Sequence, residues 1–419
     1  MASPVSTIII GGGVIGCCTA YYAMLKGHRV TLVERAPRSQ NGCSMGNGGM
    51  IVPSHFIPLA APGMVSLGMR MIMNPEGPFS IRPWANPGLA EWSWLFYRSA
   101  TKQHVERCAP VLRDLNLASR RCYEELADLP EMDFGLVRKG LLMLCKTQHA
   151  LDEEAKAAEM ANALGVPAEV LSPHATAERD PAIRMDVAGS VHFPLDCHFV
   201  PGRFMAAIIG ALERGGVNLL WSTEVAGCRT DGRRVVALKT DAGDLTADEY
   251  VLAGGAWSQG LARGLGLRLP MQAGKGYSMT LPSPRQLPEI CSILTEARVA
   301  VTPMGSALRF AGTMEVGGLD QSVNSARVRG IVNSIPRYFP EFHAEDFGDA
   351  PVWVGLRPCS PDGMPYIGRT SRYDNLLIGT GHAMMGMSLG PVTGQLLAQL
   401  LSAEKPLLPL DAVSPDRWS

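Results

Sequence analysis

The chain has 419 residues, of which 46% are hydrophobic and 18% are charged, and its formal net charge is −1. This length is too great for one ordinary core and predicts two domains, while the composition is typical of a globular protein. The nearly balanced charge, without a block of like charges, gives no electrostatic reason to expect nucleic-acid binding.

Cysteine spacing and hydropathy exclude further classes of protein. The ten cysteines include no C-x-x-C pair, so the ligand spacing of zinc and iron–sulfur sites is missing and no metal is expected. Scattered thiols that stay free fit a reducing cytosol. The first motif begins close to Met1, so no signal peptide is expected, and no apolar run is long enough for a transmembrane helix.

The first predicted unit, residues 7–35, is a strand, a glycine-rich turn, a helix and a second strand. A β-branched run at 7–10 predicts a buried strand. Three glycines follow in the spacing G-x-G-x-x-G: Gly11, Gly13 and Gly16. The first permits a sharp turn, the second lets a pyrophosphate approach the backbone, and the third lets the next helix pack closely. That helix, 14–26, presents N–H groups and a dipole that favour an anion.

The second strand, 30–33, ends at Glu34 and Arg35. A carboxylate at this point can accept hydrogen bonds from the ribose hydroxyls of an adenosine and would repel a 2′-phosphate, which argues against NADP. The order of strand, glycines, helix, strand and acid predicts a dinucleotide-binding unit. It does not distinguish FAD from NAD, and a structural unit with incidental glycines is the alternative.

Three features follow this unit. Residues 42–50, GCSMGNGGM, predict a surface loop with many free N–H groups suited to phosphates, with an ordinary flexible loop as the alternative. His55 is a candidate substrate contact, and a structural histidine is the alternative. Residues 56–73 are apolar with a single charge, Arg70, and predict either a segment on a membrane surface or a helix buried near the cofactor or at a subunit contact.

The middle of the chain alternates helices and short strands. Apolar and charged residues at helical spacing over 86–130 predict two helices. Ser172 and Pro173 are typical of the start of a short helix, and Pro201 begins another. Further elements are predicted as a strand at 140–145, helices at 151–164 and 200–214, and strands at 217–220, 224–229, 234–240 and 249–253.

The strand at 249–253 runs into AGGAWS, residues 253–258, where a small-residue turn permits a second close approach to a dinucleotide. A buried strand at 376–378, a glycine-rich loop at 379–390 and a helix at 391–401 repeat the strand–glycine–helix pattern. The elements between these two units are predicted as antiparallel strands at 269–281 and 297–316, a helix at 324–338, and two strand-like ends around a turn at 352–367.

Four stretches make the chain recognisable: GGGVIG with Glu34 and Arg35, AGGAWS, GLRPCSPDGMPYIG at 355–368, and GTGHAMMGMSLGP at 379–391. Through them the chain resembles the FAD-dependent D-amino-acid oxidases and dehydrogenases, a family that includes glycine and sarcosine oxidases. The match extends over nearly the whole chain. The GNGG loop and the run Lys275 to Ser278 are most similar to the D-amino-acid dehydrogenase branch, and SHFIPLAAPG at 54–63 resembles dehydrogenases of hydroxyproline breakdown.

The resemblance implies an α/β fold, with a Rossmann-like FAD-binding domain and an α+β substrate domain that contains an antiparallel sheet. The FAD-binding domain would be discontinuous, from 1–85, 167–265 and 355–419, and the substrate domain would comprise 86–166 and 266–354. Sarcosine-oxidase relatives attach flavin through a cysteine. Cys359 does not occupy their motif position, so FAD is expected to be non-covalent.

The same resemblance implies the cofactor site. The assigned residues are Gly11, Gly13, Val14, Ile15 and Gly16 at the pyrophosphate; Glu34 and Arg35 at the adenosine; Ser44, Asn47, Gly48, Gly49 and Met50 along the pyrophosphate and flavin; Val225 at the adenine; Gly254, Gly255 and Trp257 at the second backbone approach; and Gly381, His382, Met384, Met385 and Gly386 at the flavin pyrimidine ring.

The resemblance also implies a substrate site around Arg357, whose counterpart in the family pairs with the substrate carboxylate. A planar guanidinium binds a carboxylate in a two-pronged fork; an internal ion pair, such as one with Asp362, is the alternative. Tyr277 is expected to bind the same carboxylate or lie above the substrate, with a packed structural tyrosine as the alternative. The candidates for lining the pocket are His55, His198 and His382.

The expected reaction oxidises the α-carbon of a D-amino or imino acid: the neutral amine loses a hydride, and water hydrolyses the resulting imine. The leading substrates are cis-4-hydroxy-D-proline and D-proline. The alternatives are an oxidase that uses O₂ on glycine or sarcosine, a flavin-carrying subunit of a larger complex, and an NAD-dependent dehydrogenase. The electron acceptor stays open between a quinone, a carrier protein and O₂, and the oligomeric state stays open as well. The expected location is the cytoplasm, with a peripheral contact on the inner face of the membrane as an open alternative.

Overall fold

The structure is a computed structural model that describes residues 4–39, 42–72, 74–81 and 88–419. The helices are α1 Val14–Leu25, α2 Met64–Ile72, α3 Leu89–Ser99, α4 Lys102–Ala127, α5 Gln148–Ala163, α6 Pro173–Arg179, α7 Pro201–Arg214, α8 Ser258–Gly264, α9 Ser325–Ser334 and α10 Gly386–Leu401. The first strands are β1 Ser6–Ile10, β2 Arg29–Val33, β3 Met50–Ile51, β4 Phe79–Ile81, β5 Leu141–Cys145, β6 Glu169–Leu171, β7 Gly189–Phe193, β8 Cys197–His198, β9 Asn218–Leu220 and β10 Val225–Asp231. The remaining strands are β11 Arg234–Thr240, β12 Gly243–Leu245, β13 Glu249–Leu252, β14 Gln272–Leu281, β15 Cys291–Leu294, β16 Val299–Met304, β17 Ala307–Val316, β18 Trp353–Cys359, β19 Tyr366–Arg369 and β20 Leu376–Thr380.

A six-stranded sheet carries the two predicted glycine-rich units, in the order β19-β20-β13-β1-β2-β9. Its strands are parallel except for β19, which runs antiparallel to β20. Parallel sheets are covered on both faces, which is why β1 reads as a continuous apolar run with Ile8, Ile9 and Ile10 all buried. The strands predicted at 7–10, 30–33, 249–253 and 376–378 are confirmed, and together they form the centre of this sheet.

A second, nine-stranded sheet has the order β18-β14-β17-β16-β15-β5-β7-β6, with β4 paired to β17. Four consecutive strands, β18, β14, β17 and β16, are antiparallel to one another, and for β14, β16 and β17 the alternation over 269–281 and 297–316 predicts this. β15 pairs with β5 in parallel, and so does β17 with β4. One face packs on α9 and an aromatic cluster that includes Phe310, Phe339 and Phe342. The mixed α/β architecture is therefore confirmed, with a second sheet that is antiparallel over most of its strand pairs.

The sheets do not divide at the predicted domain boundaries. β18 pairs with β14 in the second sheet, although it lies largely within the predicted FAD-binding segment 355–419. β6 and β7 pair within the same sheet, although they lie in segment 167–265. Strand pairing depends on contacts between distant residues, so residue order alone did not locate these crossings.

Two helical predictions differ from the structure. α2 contains no residue buried by the chain itself, and Met69 is 62% exposed, so the helix does not pack into the protein's own core as a buried helix would. α9 begins after Asn324, whose side chain accepts a hydrogen bond from Ala326 N–H, and it ends at Ser334 rather than 338. Pro336 cannot continue the helical hydrogen bonds, which explains the earlier end.

Candidate active site

The first glycine turn lies against the AGGAWS turn. Gly11 has φ +113°, and a Cβ there would lie 2.8 Å from the carbonyl carbon of Ala253, with Gly254 beside it. Gly16 lies in the first turn of α1, where a Cβ would overlap the Gly11 carbonyl. Gly13 precedes α1 in an extended conformation and contributes no side-chain cap, so the first-turn N–H groups other than that of Val14, which donates to Ser44, stay available to an anion.

Glu34 lies at the carboxyl end of β2, beside the glycine turn. Its carboxylate accepts hydrogen bonds from Gly12 N–H at 2.7 Å and Ala36 N–H at 2.8 Å. The guanidinium carbon of Arg35 lies 3.7 Å from the ring centroid of Trp257, a cation–π contact that joins the first turn to AGGAWS. The structure thus brings Glu34, Arg35 and Trp257 to one edge of the sheet.

Trp221 belongs to the same edge and was missed by the sequence analysis. A Cβ at Gly12 would lie 2.8 Å from its ring, and Thr223 N–H donates to the Glu34 carbonyl at 2.9 Å. Val225, at the start of β10, is buried two residues later. The carboxyl ends of parallel strands meet at one edge, so an aromatic residue directly after the predicted strand 217–220 was the available signal.

The loop from Ser44 to Met50 is not the surface loop that its composition predicts. Ser44, Gly46, Gly49 and Met50 are buried. Ser44 Oγ accepts a hydrogen bond from Val14 N–H at 3.0 Å, which ties the loop to the start of α1. Asn47 Oδ1 accepts from Gly49 N–H at 2.9 Å, an Asx turn that includes Gly48. The loop is therefore enclosed between α1 and the second sheet.

Arg309, on β17, holds this loop and was also missed by the sequence analysis. Its Nη1 donates to the Met45 carbonyl at 3.2 Å and to the Asn47 carbonyl at 2.8 Å. From β14, Ser278 Oγ donates to the Gly46 carbonyl at 2.9 Å. Side chains of the second sheet therefore donate hydrogen bonds to three consecutive carbonyl groups of the loop and attach the loop to that sheet.

The C-terminal glycine loop forms a concave backbone turn before α10. Gly381 has φ +78°, His382 has φ −74° and Ala383 has φ +48°. Successive residues of alternating φ direct neighbouring N–H groups to one point, an arrangement that binds anions. Met384 is exposed, Met385 packs on the core, and Gly386 begins α10, whose dipole adds to the same field.

His382 is buried in this loop. Its Nε2 lies 2.9 Å from Thr393 Oγ1, and its Nδ1 is buried with no hydrogen-bond partner in the described part of the chain. Burial lowers the pKa of His382 to about 3, so the ring is neutral at physiological pH. It contributes packing and a polar atom but no charge.

Together these features suit a flavin dinucleotide. An uncapped helix start with a close glycine turn fits a pyrophosphate, the carboxylate of Glu34 fits a ribose, and the concave turn at 381–383 fits a ring carbonyl that gains negative charge. Among the described residues, no group of three His, Cys, Asp or Glu side chains could hold a metal ion.

Arg357 lies on β18 and projects from the face of the second sheet that carries Ser278 and Gly276. Its Nη1 donates to the Thr313 carbonyl at 2.7 Å, and a Cβ at Gly276 would overlap its guanidinium. No carboxylate pairs with Arg357 in the described ranges. The alternative of an ion pair with Asp362 is wrong, because Asp362 pairs with Arg417 at 2.7 Å.

The partner of Arg357, Thr313, has an unusual backbone. It has φ +68°, which is strained for a β-branched residue, and it lies in a β-bulge of β17. The bulge follows from the register, since Lys275 pairs with Glu315 but Tyr277 pairs with Gly312. The additional residue on β17 lies opposite Gly276 and presents the Thr313 carbonyl to the guanidinium.

The structure does not bring Tyr277 to the face that carries Arg357. Successive side chains of a strand point to opposite faces, and Tyr277 points with Met279 into the aromatic cluster. Its hydroxyl donates to the Glu315 carboxylate and accepts from Asn324 N–H at 3.1 Å. Its contacts match the alternative of a packed structural tyrosine.

Two further histidines, His55 and His198, lie near the Ser44–Met50 loop. His55 is half-buried, and its Nδ1 lies 2.9 Å from Ser54 Oγ. Burial, with Arg298 nearby, lowers the pKa of His55 to about 4. His198 pairs with Met50 across β3 and β8, and burial lowers its pKa to about 4 as well. Both imidazoles are therefore neutral at pH 7.

Comparisons with known proteins agree with this geometry. The chain is 33% identical over 421 residues to a D-amino acid dehydrogenase of Bradyrhizobium diazoefficiens, covering 98% of both chains. It is 31% identical over 424 residues to a D-amino acid dehydrogenase of Agrobacterium fabrum, covering 98% of this chain and 99% of the relative. A crystal structure of glycine oxidase from Geobacillus kaustophilus superposes with a TM-score of 0.79 at 24% identity, covering 99% of both chains, and shows the shared fold.

A family model described as FAD dependent oxidoreductase matches residues 6–400. The match spans both sheets, the two glycine-rich turns and Arg357. Because that family is described by its dependence on FAD, FAD is the cofactor of this protein. The chain belongs to the family of FAD-dependent oxidoreductases.

Proposed function

We propose that the protein is a dehydrogenase of D-amino or imino acids. The observation that carries the proposal is Arg357, a partly buried guanidinium with one backbone partner and no carboxylate partner among the described residues. It lies beside the loops that hold the cofactor. Relatives of similar length that are 30–33% identical are named D-amino acid dehydrogenase, which supports a substrate with a carboxylate beside an amine.

Arg357 binds the substrate carboxylate and thereby orients the α-carbon. FAD supplies the ring that accepts the hydride. The Thr313 carbonyl holds one side of the guanidinium, and the absence of a side chain at Gly276 leaves room for it, so the remaining donors face the substrate. The concave turn at Gly381 and the start of α10 would hold the flavin ring, and their N–H groups and helix dipole would favour negative charge at that point.

We propose that FAD is held without a covalent bond. Cys359 is fully buried beside Arg357, and burial raises the pKa of its thiol to about 12. A cysteine attacks as the thiolate, so this thiol is a poor nucleophile at neutral pH. Flavin that stays with the chain after acid precipitation would contradict a non-covalent site.

The substrate that we favour is a cyclic D-imino acid, cis-4-hydroxy-D-proline or D-proline. The support is the resemblance of segment 54–63 to dehydrogenases of hydroxyproline breakdown. In the structure this segment packs against the motif of Arg357, because a Cβ at Gly363 would lie 2.6 Å from Leu59 N. Phe56 and Ala60 are buried in the same segment.

The test is anaerobic bleaching of the flavin absorbance by cis-4-hydroxy-D-proline, D-proline, D-alanine, L-proline, glycine and sarcosine. We expect fast bleaching by the cyclic D-imino acids, and Arg357→Lys should raise their KM about 100-fold because the two-pronged contact is lost. The matched control is Arg184→Lys, at an exposed ion pair with Glu341. Equal bleaching by all compounds would refute the proposed preference for cyclic D-imino acids. An unchanged KM in Arg357→Lys would refute the proposed role of Arg357.

The electron acceptor proposed here is a quinone or a carrier protein, with O₂ as the alternative. After bleaching, slow recovery of the flavin absorbance in air and fast recovery with a soluble quinone would support this proposal. Fast recovery in air alone would identify an oxidase.

We propose further that this cytoplasmic protein contacts the inner face of the membrane through α2. No helix in the described ranges is long and apolar enough to cross a bilayer. The support for a surface contact is the unburied α2, which exposes Met69 and Ile72 beside Arg70. Co-sedimentation with anionic vesicles that Met69→Asp abolishes would support the contact, whereas dimerisation lost in the same variant would identify a subunit interface.

A further inference from the structure

A buried carboxylate beside the proposed cofactor loops has no place in the chemistry described so far. Asp196 is fully buried, and its carboxylate accepts hydrogen bonds from Ser54 N–H, at 3.1 Å, and from Ser54 Oγ. In the described part of the chain, no cation makes a hydrogen bond or ion pair with it. Burying a carboxylate with so little compensation is costly, which is a reason to look for a function.

Strand pairing places this carboxylate at the junction of the two cofactor loops. Ile51 pairs with Cys197 across β3 and β8, so Asp196 lies beside the segment that follows β3. In that segment Val52 N–H donates to Ser388 Oγ at 3.1 Å, in the first turn of α10. Asp196 therefore lies where the chain leaves the Ser44–Met50 loop and meets the helix that follows the C-terminal glycine loop.

Ser54 connects Asp196 to a histidine. Ser54 Oγ bonds the Asp196 carboxylate and lies 2.9 Å from His55 Nδ1. A hydroxyl has one proton, so the direction of one bond sets the other. With Asp196 ionised, Ser54 donates to it, His55 Nδ1–H donates to Ser54, and His55 Nε2 is an acceptor. With Asp196 protonated, both bonds reverse and Nε2 carries the proton.

We propose that Asp196, Ser54 and His55 form a relay that removes a proton from the ammonium group of the bound amino acid. The inference rests on the proposed function. His55 Nε2 accepts the substrate proton, the Nδ1 proton passes to Ser54 Oγ, and the Ser54 proton passes to the Asp196 carboxylate. One N–H bond of the substrate breaks and one O–H bond forms on Asp196, so the neutral amine can release its hydride.

The surroundings of the three groups suit these roles. Burial raises the pKa of Asp196 to about 7, with an opposing effect from Arg120 of α4. Cys291 of β15 also faces this carboxylate, and its own thiol is kept protonated by burial. Burial and Arg298 lower the pKa of His55 to about 4, so the imidazole transmits the proton but does not keep it.

His55 is the partly exposed end of the three groups. Its side chain is half-buried, whereas Asp196 is closed off from solvent. Within the described residues no hydrogen bond involves His55 Nε2. The relay therefore has one open end, at the imidazole, and one closed end, at the carboxylate.

The first test follows the histidine tautomer without substrate turnover. The full chain with FAD is labelled with ¹⁵N-histidine, and the His55 nitrogen shifts are recorded from pH 5 to pH 9. We expect the proton to move from Nε2 to Nδ1 with a midpoint near pH 7, and Asp196→Asn and Ser54→Ala to abolish this change. The matched control is Asp180→Asn, because Asp180 is also buried and, among the described residues, its carboxylate accepts backbone N–H bonds such as those from Glu289 and Ile290. A wild-type tautomer that is constant over this range would overturn the relay.

The second test measures the pH dependence of flavin reduction in rapid-mixing experiments. The wild-type rate should rise with pH through about 7, as Asp196 ionises and becomes able to accept the proton. Asp196→Asn should be about 100-fold slower at pH 7 and recover at high pH, where the free amine is present in solution. An unchanged pH profile in this variant would overturn the relay, whereas failure of every amino acid to bleach wild-type flavin would refute the proposed function and leave the tautomer test valid.

Discussion

Single residues around Arg357 show how a sheet is adapted to hold a charge. A guanidinium that points onto a strand needs space, and Gly276 provides it, because any side chain there would overlap the guanidinium. It also needs an acceptor, and the left-handed Thr313 of the β-bulge turns its carbonyl toward Nη1. Backbone strain of this kind persists only where the surrounding structure enforces it. The neighbouring strands β14 and β17 therefore together hold the Arg357 guanidinium in place.

The space that Gly276 leaves for the Arg357 guanidinium can be tested with Gly276→Ala. The new Cβ would displace the guanidinium, so we expect the substrate KM to rise at least about 10-fold while FAD content stays unchanged. Steady-state kinetics on the bleaching substrate measure this effect. Gly227→Ala, on β10, is the matched control, since a Cβ at Gly227 would meet no atom of the described residues within 4 Å. Equal effects of the two substitutions would show that loss of strand stability, and not displacement of Arg357, is responsible.

Asp196 makes a second prediction at this scale, for stability. Burial raises the pKa of Asp196 to about 7 in the folded chain, whereas an unfolded aspartate titrates near about 4. Between these values the folded state binds more protons than the unfolded state, so this group makes the free energy of unfolding fall as pH rises from about 4 to about 7. We expect Asp196→Asn to raise the thermal midpoint relative to wild type more at pH 8 than at pH 5. A pH-independent difference would mean that the carboxyl does not titrate in this range.

Elements bring the two glycine-rich loops together through helix packing. α10 lies directly on α1, and at Gly394 a Cβ would come within 2.5 Å of the Cys18 carbonyl carbon. Close contact of the two backbones positions both helix N-termini relative to each other. The N-terminus of α1 lies at the proposed pyrophosphate site, and that of α10 follows the concave turn at Gly381.

Gly394→Ala tests this arrangement. The added methyl must separate the helices, so we expect a loss of about 1–3 kcal/mol of stability and weaker FAD retention. Calorimetry and flavin content after gel filtration measure the two effects. Gly260→Ala on α8 is the helical control, because a Cβ there meets nothing within 4 Å. Normal flavin retention in Gly394→Ala would show that the helix spacing does not determine cofactor binding.

At the scale of the whole molecule, the Ser44–Met50 loop, which we propose to line the cofactor, connects the two sheets. The Ser44–Met50 loop begins at the helix of the first sheet, and its carbonyl groups are held by Arg309 and Ser278 from the second. Cofactor binding should therefore stabilise both sheets at once, because a ligand that binds only the folded state raises stability by mass action.

This connection predicts the effects of removing FAD and of removing the hydrogen bonds from Arg309 to the Ser44–Met50 loop. Stripped protein should have a lower thermal midpoint that rises again with added FAD, by about 2.7 kcal/mol of stability at a hundredfold excess over Kd. Arg309→Met should weaken FAD binding about 10-fold or more, because two carbonyl groups lose their donor. The control is Arg285→Met, at a half-exposed ion pair with Asp346. FAD titration by flavin fluorescence measures both variants, and equal Kd values would contradict the link.

Local features of the chain could be predicted because they depend on near neighbours. The order of strand, glycines, helix and acid over 7–35 follows from residue type and spacing alone, as does the start of α6 at Ser172. Arg357 was identified through its motif, and Asp362 was the natural partner by proximity in sequence. The structure instead pairs Asp362 with Arg417, because residues distant in the chain compete for the same charge.

The sequence by itself determined the dinucleotide-binding unit, the second glycine-rich unit and the class of both sheets, since periodicity and backbone freedom are local properties. Only the tertiary structure decided which face each side chain takes, as Tyr277 shows, and whether a glycine-rich loop is enclosed, as at 44–50. It also decided the proximity of Trp221, Arg309 and Asp196 to the site. Each of these outcomes requires contacts between segments far apart in the chain, and residue order carries no direct record of them.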